Sequence, residues 1–77
     1  MLPSEGEQWE IRSERRRVVR VVQNPIRARS YQVFVHISYP GMDGMWGEWL
    51  TGHQWAEWKA TRRARLVEGE HENPRAN

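Results

Sequence analysis

Guanidinium and indole groups supply most of the chemistry available to this chain. Eleven of its twelve basic residues are Arg, Lys59 being the exception, and five of its 77 residues are Trp. Arg presents a planar fork of donors that matches carboxylate or phosphate and stacks on aromatic rings. The basic residues fall into two groups. One is Arg15-Arg16-Arg17, with Arg20, Arg27 and Arg29 nearby; the other is Arg62, Arg63 and Arg65, with Lys59 one helical turn earlier. Lys59 and Arg62 border Trp55 and Trp58, a placement that allows cation–π stacking. Each group also has a plain structural explanation. Charge on a strand protects a sheet edge from unwanted pairing, and positive charge near a helix C-terminus favours the dipole. A GC-rich coding sequence would enrich Arg with no function attached.

The inventory for catalysis is thin. Asp43 is the single Asp and lies in a turn-like segment; there is no Cys, which excludes disulfides, thiol chemistry and Cys-type zinc sites. No Ser, His and acid order forms a nucleophile constellation, and no Gly-rich loop precedes a helix to cradle phosphate. His53 and Glu57 stand four apart, a spacing that can place two ligands on one metal, but no third ligand accompanies them; His71 lies in the tail. The expectation is a protein that is not an enzyme and holds no metal or cofactor.

The elements that position these groups follow from patterning. Gln8–Ser13 alternates Trp9 and Ile11 with polar residues and predicts a short strand, although Ser4-x-x-Glu7 would also suit a helix cap. Arg16–Gln23 is dense in Val and predicts a second strand, on which Arg15 and Arg17 share a face and Arg16 does not. The clearest strand is Tyr31–Tyr39, with Tyr31, Val33, Val35 and Ile37 on one face and Gln32, Phe34 and His36 on the other. Asp43-Gly44 reads as a two-residue hairpin turn pairing Met42 with Met45 and placing Ile37 opposite Leu50, unless Pro40 and Gly41 widen the loop and shift this register. Trp46 and Leu50 then join the Val33 face, and Trp49 joins Phe34 and His36. Thr51-x-x-Gln54 is a capping box, which predicts a helix from about Gly52 to Val67. On it Trp55, Trp58, Arg62 and Leu66 form one stripe. A helix ending near Thr61 before a last strand over Arg63–Glu68 is the alternative.

The fold class is therefore α+β: a three- or four-stranded antiparallel meander followed by one C-terminal helix packed on the Val33 face. At 77 residues the chain makes a single domain over 1–77, with 1–7 and 69–77 as frayed ends. Leu, Ile, Val and Phe number only fourteen, so most of the Trp set is needed in the core, and an exposed Trp has another role. Met1 to Gln8 lacks the apolar run of a signal peptide, and the charge-free stretch Ser30–Met42 is too short and polar to span a bilayer. Absence of Cys suits a reducing cytoplasm.

One helix cannot cover both faces of a sheet. The Phe34/His36/Trp49 face is thus open to water or a partner, unless the N-terminal segment covers it with Trp9 as a lid or a homodimer mate does. Candidate partner-binding residues are Phe34, His36, Trp49, Lys59, Arg62, Arg63 and Arg65. The leading expectation is a protein-binding inhibitor or adaptor docking through Arg and Trp, the types enriched at interface hot spots. In size class the chain resembles the small inhibitors that phages and mobile elements encode, for example against CRISPR complexes, a resemblance that rests on no motif. The alternative is a nucleic-acid-binding module using the sheet-face aromatics and the basic helix. A net charge of +2 is too mild to require that.

Overall fold

A computed structural model of the protein describes residues 2–27 and 29–67. Its strands are β1 (Gln8–Ile11), β2 (Glu14–Gln23), β3 (Tyr31–Ser38) and β4 (Met45–Thr51), then α1 (Gly52–Thr61) and β5 (Arg65–Leu66). They form one antiparallel sheet in the order β4-β3-β2-β1-β5. The meander and the helix on one face are as the pattern predicts, with a fifth strand added. None of the described helices is long and apolar enough to cross a membrane.

The core lies between the sheet and α1. Val18, Val33, Val35, Ile37 and Leu50 pack beneath Trp55 and Trp58, whose rings stack at 5.5 Å and 13°. The Arg16 guanidinium lies 4.5 Å over Trp58 and also bonds the Glu14 carboxylate, which closes one end of the core. Trp9 packs against this core too, with its indole N–H donated to Glu7 at 2.8 Å. It is no lid on the opposite face, because it shares a row with Arg16 and Ile37 on the helix side.

Three expectations need correction. First, the β3–β4 hairpin turns earlier than Asp43-Gly44 implies. Met42 N–H donates to the Tyr39 carbonyl at 3.0 Å across Pro40-Gly41, and Gly41 sits at φ +87°. Pro followed by a residue of positive φ is the type II arrangement. The pairing becomes Ser38 with Met45 and Ile37 with Trp46, not Ile37 with Leu50. The register moves by four residues, an even number, so every side chain keeps its expected face.

Second, α1 ends at Thr61 and not at Val67. Ala64 N–H bonds the Lys59 carbonyl at 3.0 Å and Arg63 N–H bonds that of Ala60 at 3.3 Å, the two bonds of a Schellman stop. Arg63 occupies the left-handed position at φ 52°, where an L-residue is disfavoured by about 1–2 kcal/mol. The chain then runs back along β1, pairing Leu66 with Trp9 and Arg65 with Glu10. Tertiary pairing overrides the helical propensity of residues 62–67. Arg62 and Leu66 consequently do not continue the Trp55/Trp58 stripe.

Third, the N-terminal segment is not frayed throughout. Gly6 N–H donates to Val18 O at 2.7 Å, Val18 N–H to Glu7 O at 2.9 Å, and Glu5 accepts from Val21 N–H at 3.3 Å. The expected frayed tail at 69–77 lies outside the described residues. The expectation for the Trp set holds by a narrow margin, because Trp9, Trp55 and Trp58 of the five belong to the core or pack against it. Trp55 and Trp58 are buried, while Trp46 and Trp49 are about half exposed, at 48% and 50%.

Candidate docking surface on the open sheet face

The face turned away from α1 is built mainly by β2, β3 and β4, with Gln8 and Glu10 of β1 beside them. Along β3 it carries Gln32, Phe34, His36 and Ser38; along β4, Met45, Gly47 and Trp49; along β2, Arg15, Arg17 and Arg20. Arg20 reaches this face only because of a β-bulge. Arg17 pairs with His36 and Val18 with Val35, then the register shifts and Arg20 pairs with Phe34. Unbroken alternation would put Arg20 beneath the helix and Val21 in water. The extra residue sends Val21 to the core and aims Arg20 outward, which is the re-aiming that bulges perform.

The aromatic groups meet at close range. Phe34 and Trp49 are direct cross-strand partners with ring centroids 5.1 Å apart at 47°, and His36 stands edge-on to Phe34 at 5.7 Å and 75°. Phe34 is seated on the backbone of Gly47: a Cβ there would lie 2.2 Å from its Cζ. Glycine on an edge strand gives an aromatic neighbour room to lie over the chain. Beside the rings, Gln8, Arg15, Arg17, His36, Ser38 and Met45 line a shallow cleft of about 190 Å³.

The electrostatics are one-sided. Glu10 is the carboxylate of this face among the described strand residues, and both its oxygens are engaged. Arg15 donates to Oε1 at 3.0 Å and Arg65 to Oε2 at 2.9 Å. Those hydrogen bonds, the Arg15 one first, hold its carboxyl below the usual carboxylate range. Arg17 and Arg20 are exposed and form no ion pair with any described residue. The face therefore offers rings flanked by free guanidinium groups.

Of the residues singled out by sequence, the structure brings Phe34, His36 and Trp49 together here. It places Lys59 elsewhere: its ammonium lies 4.5 Å over Trp9 and 5.4 Å from the Trp55 ring, on the helix side. Arg62, Arg63 and Arg65 gather at one end of the sheet around a separate cleft. Arg17 and Arg20 belong to the first basic group but were not among the candidate partner-binding residues. The available signal was the break in alternation across Val18-Val19-Arg20-Val21-Val22, which regular pleating cannot satisfy without either burying Arg20 or leaving a gap in the core.

At the opposite pole the β2–β3 loop and the start of α1 frame a cleft of about 650 Å³. Its titratable groups include Tyr31 and His53. Burial, and then the charge of Glu7, raise the Tyr31 phenol above its ordinary value, so it stays neutral. No acid–base pair with a nucleophile is assembled there. His53 and Glu57 approach only to 3.8 Å, both exposed, and no group of three metal-ligating side chains forms among the described residues.

No protein-family model, curated protein or solved structure matches this chain.

Proposed function

We propose that this protein is a non-catalytic binding protein, and that the partner its open face fits best is a single-stranded nucleic acid. The observation that carries this is the bulge in β2, which turns Arg20 out beside Phe34. Guanidinium groups then run along one strand while Phe34, His36 and Trp49 stand on the next two. Successive outward residues of a strand lie roughly 6.5 Å apart, an interval comparable to that between phosphates of an extended single strand. Bases stack on exposed rings for about 1–3 kcal/mol each, with little regard to sequence. Guanidinium groups engage the phosphates by paired hydrogen bonds.

The test is titration of mixed-sequence single-stranded oligonucleotides, followed by Trp fluorescence at low and moderate salt. Binding at micromolar protein that weakens steeply with salt is expected. Trp49→Ala should reduce affinity at least tenfold with the fold intact by circular dichroism. No binding at micromolar protein and low salt ends this reading.

A protein partner is the second reading, as for an inhibitor or adaptor of the kind phages encode. One observation favours it. The outer edge of β4 is unpaired among the described residues and carries Met45, Trp46 and Trp49, which are 60%, 48% and 50% exposed. An edge strand that carries a single charge, Glu48, and no Lys or Pro is a template for strand addition. Cross-linking in host extract with and without nuclease separates the readings: a protein adduct at Trp46 or Trp49 that survives nuclease supports this one.

A further inference from the structure

The second Arg group forms a site of its own. At one end of the sheet the β1–β2 turn, the loop after β3 and the end of α1 converge. There Arg12, Arg62, Arg63 and Arg65 line a cleft of about 440 Å³ with Glu10 and Pro40. Glu10 is already engaged by Arg15 and Arg65. Arg12, Arg62 and Arg63 are exposed and form no ion pair with any described residue. Among the described residues, four positive charges against one negative charge thus surround a concave surface.

The fold by itself does not call for this arrangement. A helix C-terminus favours nearby positive charge, which would account for Arg62, but Arg12 comes from a different element. Arg63 holds the left-handed position of the helix stop at φ 52°, where Gly is the residue that fits without strain. A long cation kept at a position suited to Gly points to a use for the side chain.

We propose that this cleft binds a phosphate-rich anion. Three or four guanidinium forks converging from separate elements suit tetrahedral oxyanions, which they grip by paired, charge-assisted hydrogen bonds. The Schellman bonds already occupy the carbonyls of Lys59 and Ala60, so the helix end presents less negative potential to an incoming anion. The source of the phosphate is either a nucleic-acid backbone continuing off the open face past Arg65 or a free polyphosphate. The site shares Glu10 and Arg65 with the rim of the docking face, but Arg12, Arg62 and Arg63 are its own, and it does not depend on that reading.

The experiment follows the arginine Nε–H signals by NMR while inorganic tripolyphosphate, and separately a short single-stranded oligonucleotide, are titrated into the full chain. Shifts concentrated at Arg12, Arg62 and Arg63 with tripolyphosphate support the cleft; shifts there with the oligonucleotide alone support it and assign the phosphate to nucleic acid. Arg63→Gly should weaken binding at least fivefold while the melting temperature holds or rises, and Arg12→Ala should weaken it independently. Arg17→Ala, on the open face, should leave tripolyphosphate binding unchanged, so that failure of one surface is distinguishable from failure of the other. Equal shifts at Arg27 and Arg29, no shift with either ligand, or wild-type binding by Arg63→Gly would overturn the proposal.

Discussion

Glu10 shows how much one side chain sets the charge of a surface. Its two oxygens quench Arg15 and Arg65, the only ion pairs on the open face among the described strand residues. Glu10→Gln should release both cations, so oligonucleotide affinity should rise several-fold and its salt dependence should steepen, as read by anisotropy titration. The pH effect has a definite sign. The folded Glu10 carboxyl is held below its ordinary value of 4.5, so its ion pairs are complete above that value. They are lost as pH falls through the lower folded value, and stability falls with them. Acid titration of melting temperature should show this loss below pH 4.5 in the wild type and a smaller one in Glu10→Gln. Individual residues were only partly legible from sequence. Phe34, His36 and Trp49 could be grouped because alternation is strict in β3 and tolerates an even register error. Lys59 could not be placed, because its position over Trp9 depends on β1 coming beneath the helix.

Among the elements, the start of α1 was legible, and its end was left between two readings, of which the stop near Thr61 before a last strand is the one that forms. Both halves of the capping box form: Gln54 N–H donates to Thr51 Oγ1 at 3.0 Å, and Thr51 N–H to Gln54 Oε1 at 2.9 Å. Thr51→Ala should therefore cost about 1 kcal/mol in chemical denaturation. The longer helix was favoured because Arg62–Val67 carries no Gly or Pro and is a fair helix former. What ends the helix is a sheet edge that local sequence does not reveal: β5 docks on β1, where Val67 N–H bonds Gln8 O at 2.9 Å. Arg63→Gly should raise stability by up to about 1 kcal/mol by relieving the left-handed strain. A fall in stability would mean that the Arg63 side chain is structural. The β3–β4 register was misread for a related reason. Two Gly-containing turn signals lie within five residues, and Pro40-Gly41 prevails over Asp43-Gly44.

In the whole molecule, α1 divides the sheet into an inner and an outer surface, and the indoles divide with it. Trp55 is fully buried, and Trp55→Ala should cost about 3–5 kcal/mol, enough to threaten a domain of this size. Trp49→Ala should change stability little in the same denaturant series. Equal losses at the two positions would mean that the outer aromatic cluster is structural. This division follows from counting elements, since one helix covers one face, and so it was legible before any coordinates. The second cleft was not, because it joins Arg12 to Arg62 and Arg63 across fifty residues of chain.

The seat of Phe34 on Gly47 carries one more consequence. A ring already resting on the neighbouring chain has little freedom left to lose when a ligand arrives, so recognition can be quick and need not wait for rearrangement. Gly47→Ala would lift that ring from its rest while leaving every contacting group chemically present. The resulting defect would lie in the readiness of the surface and not in its composition.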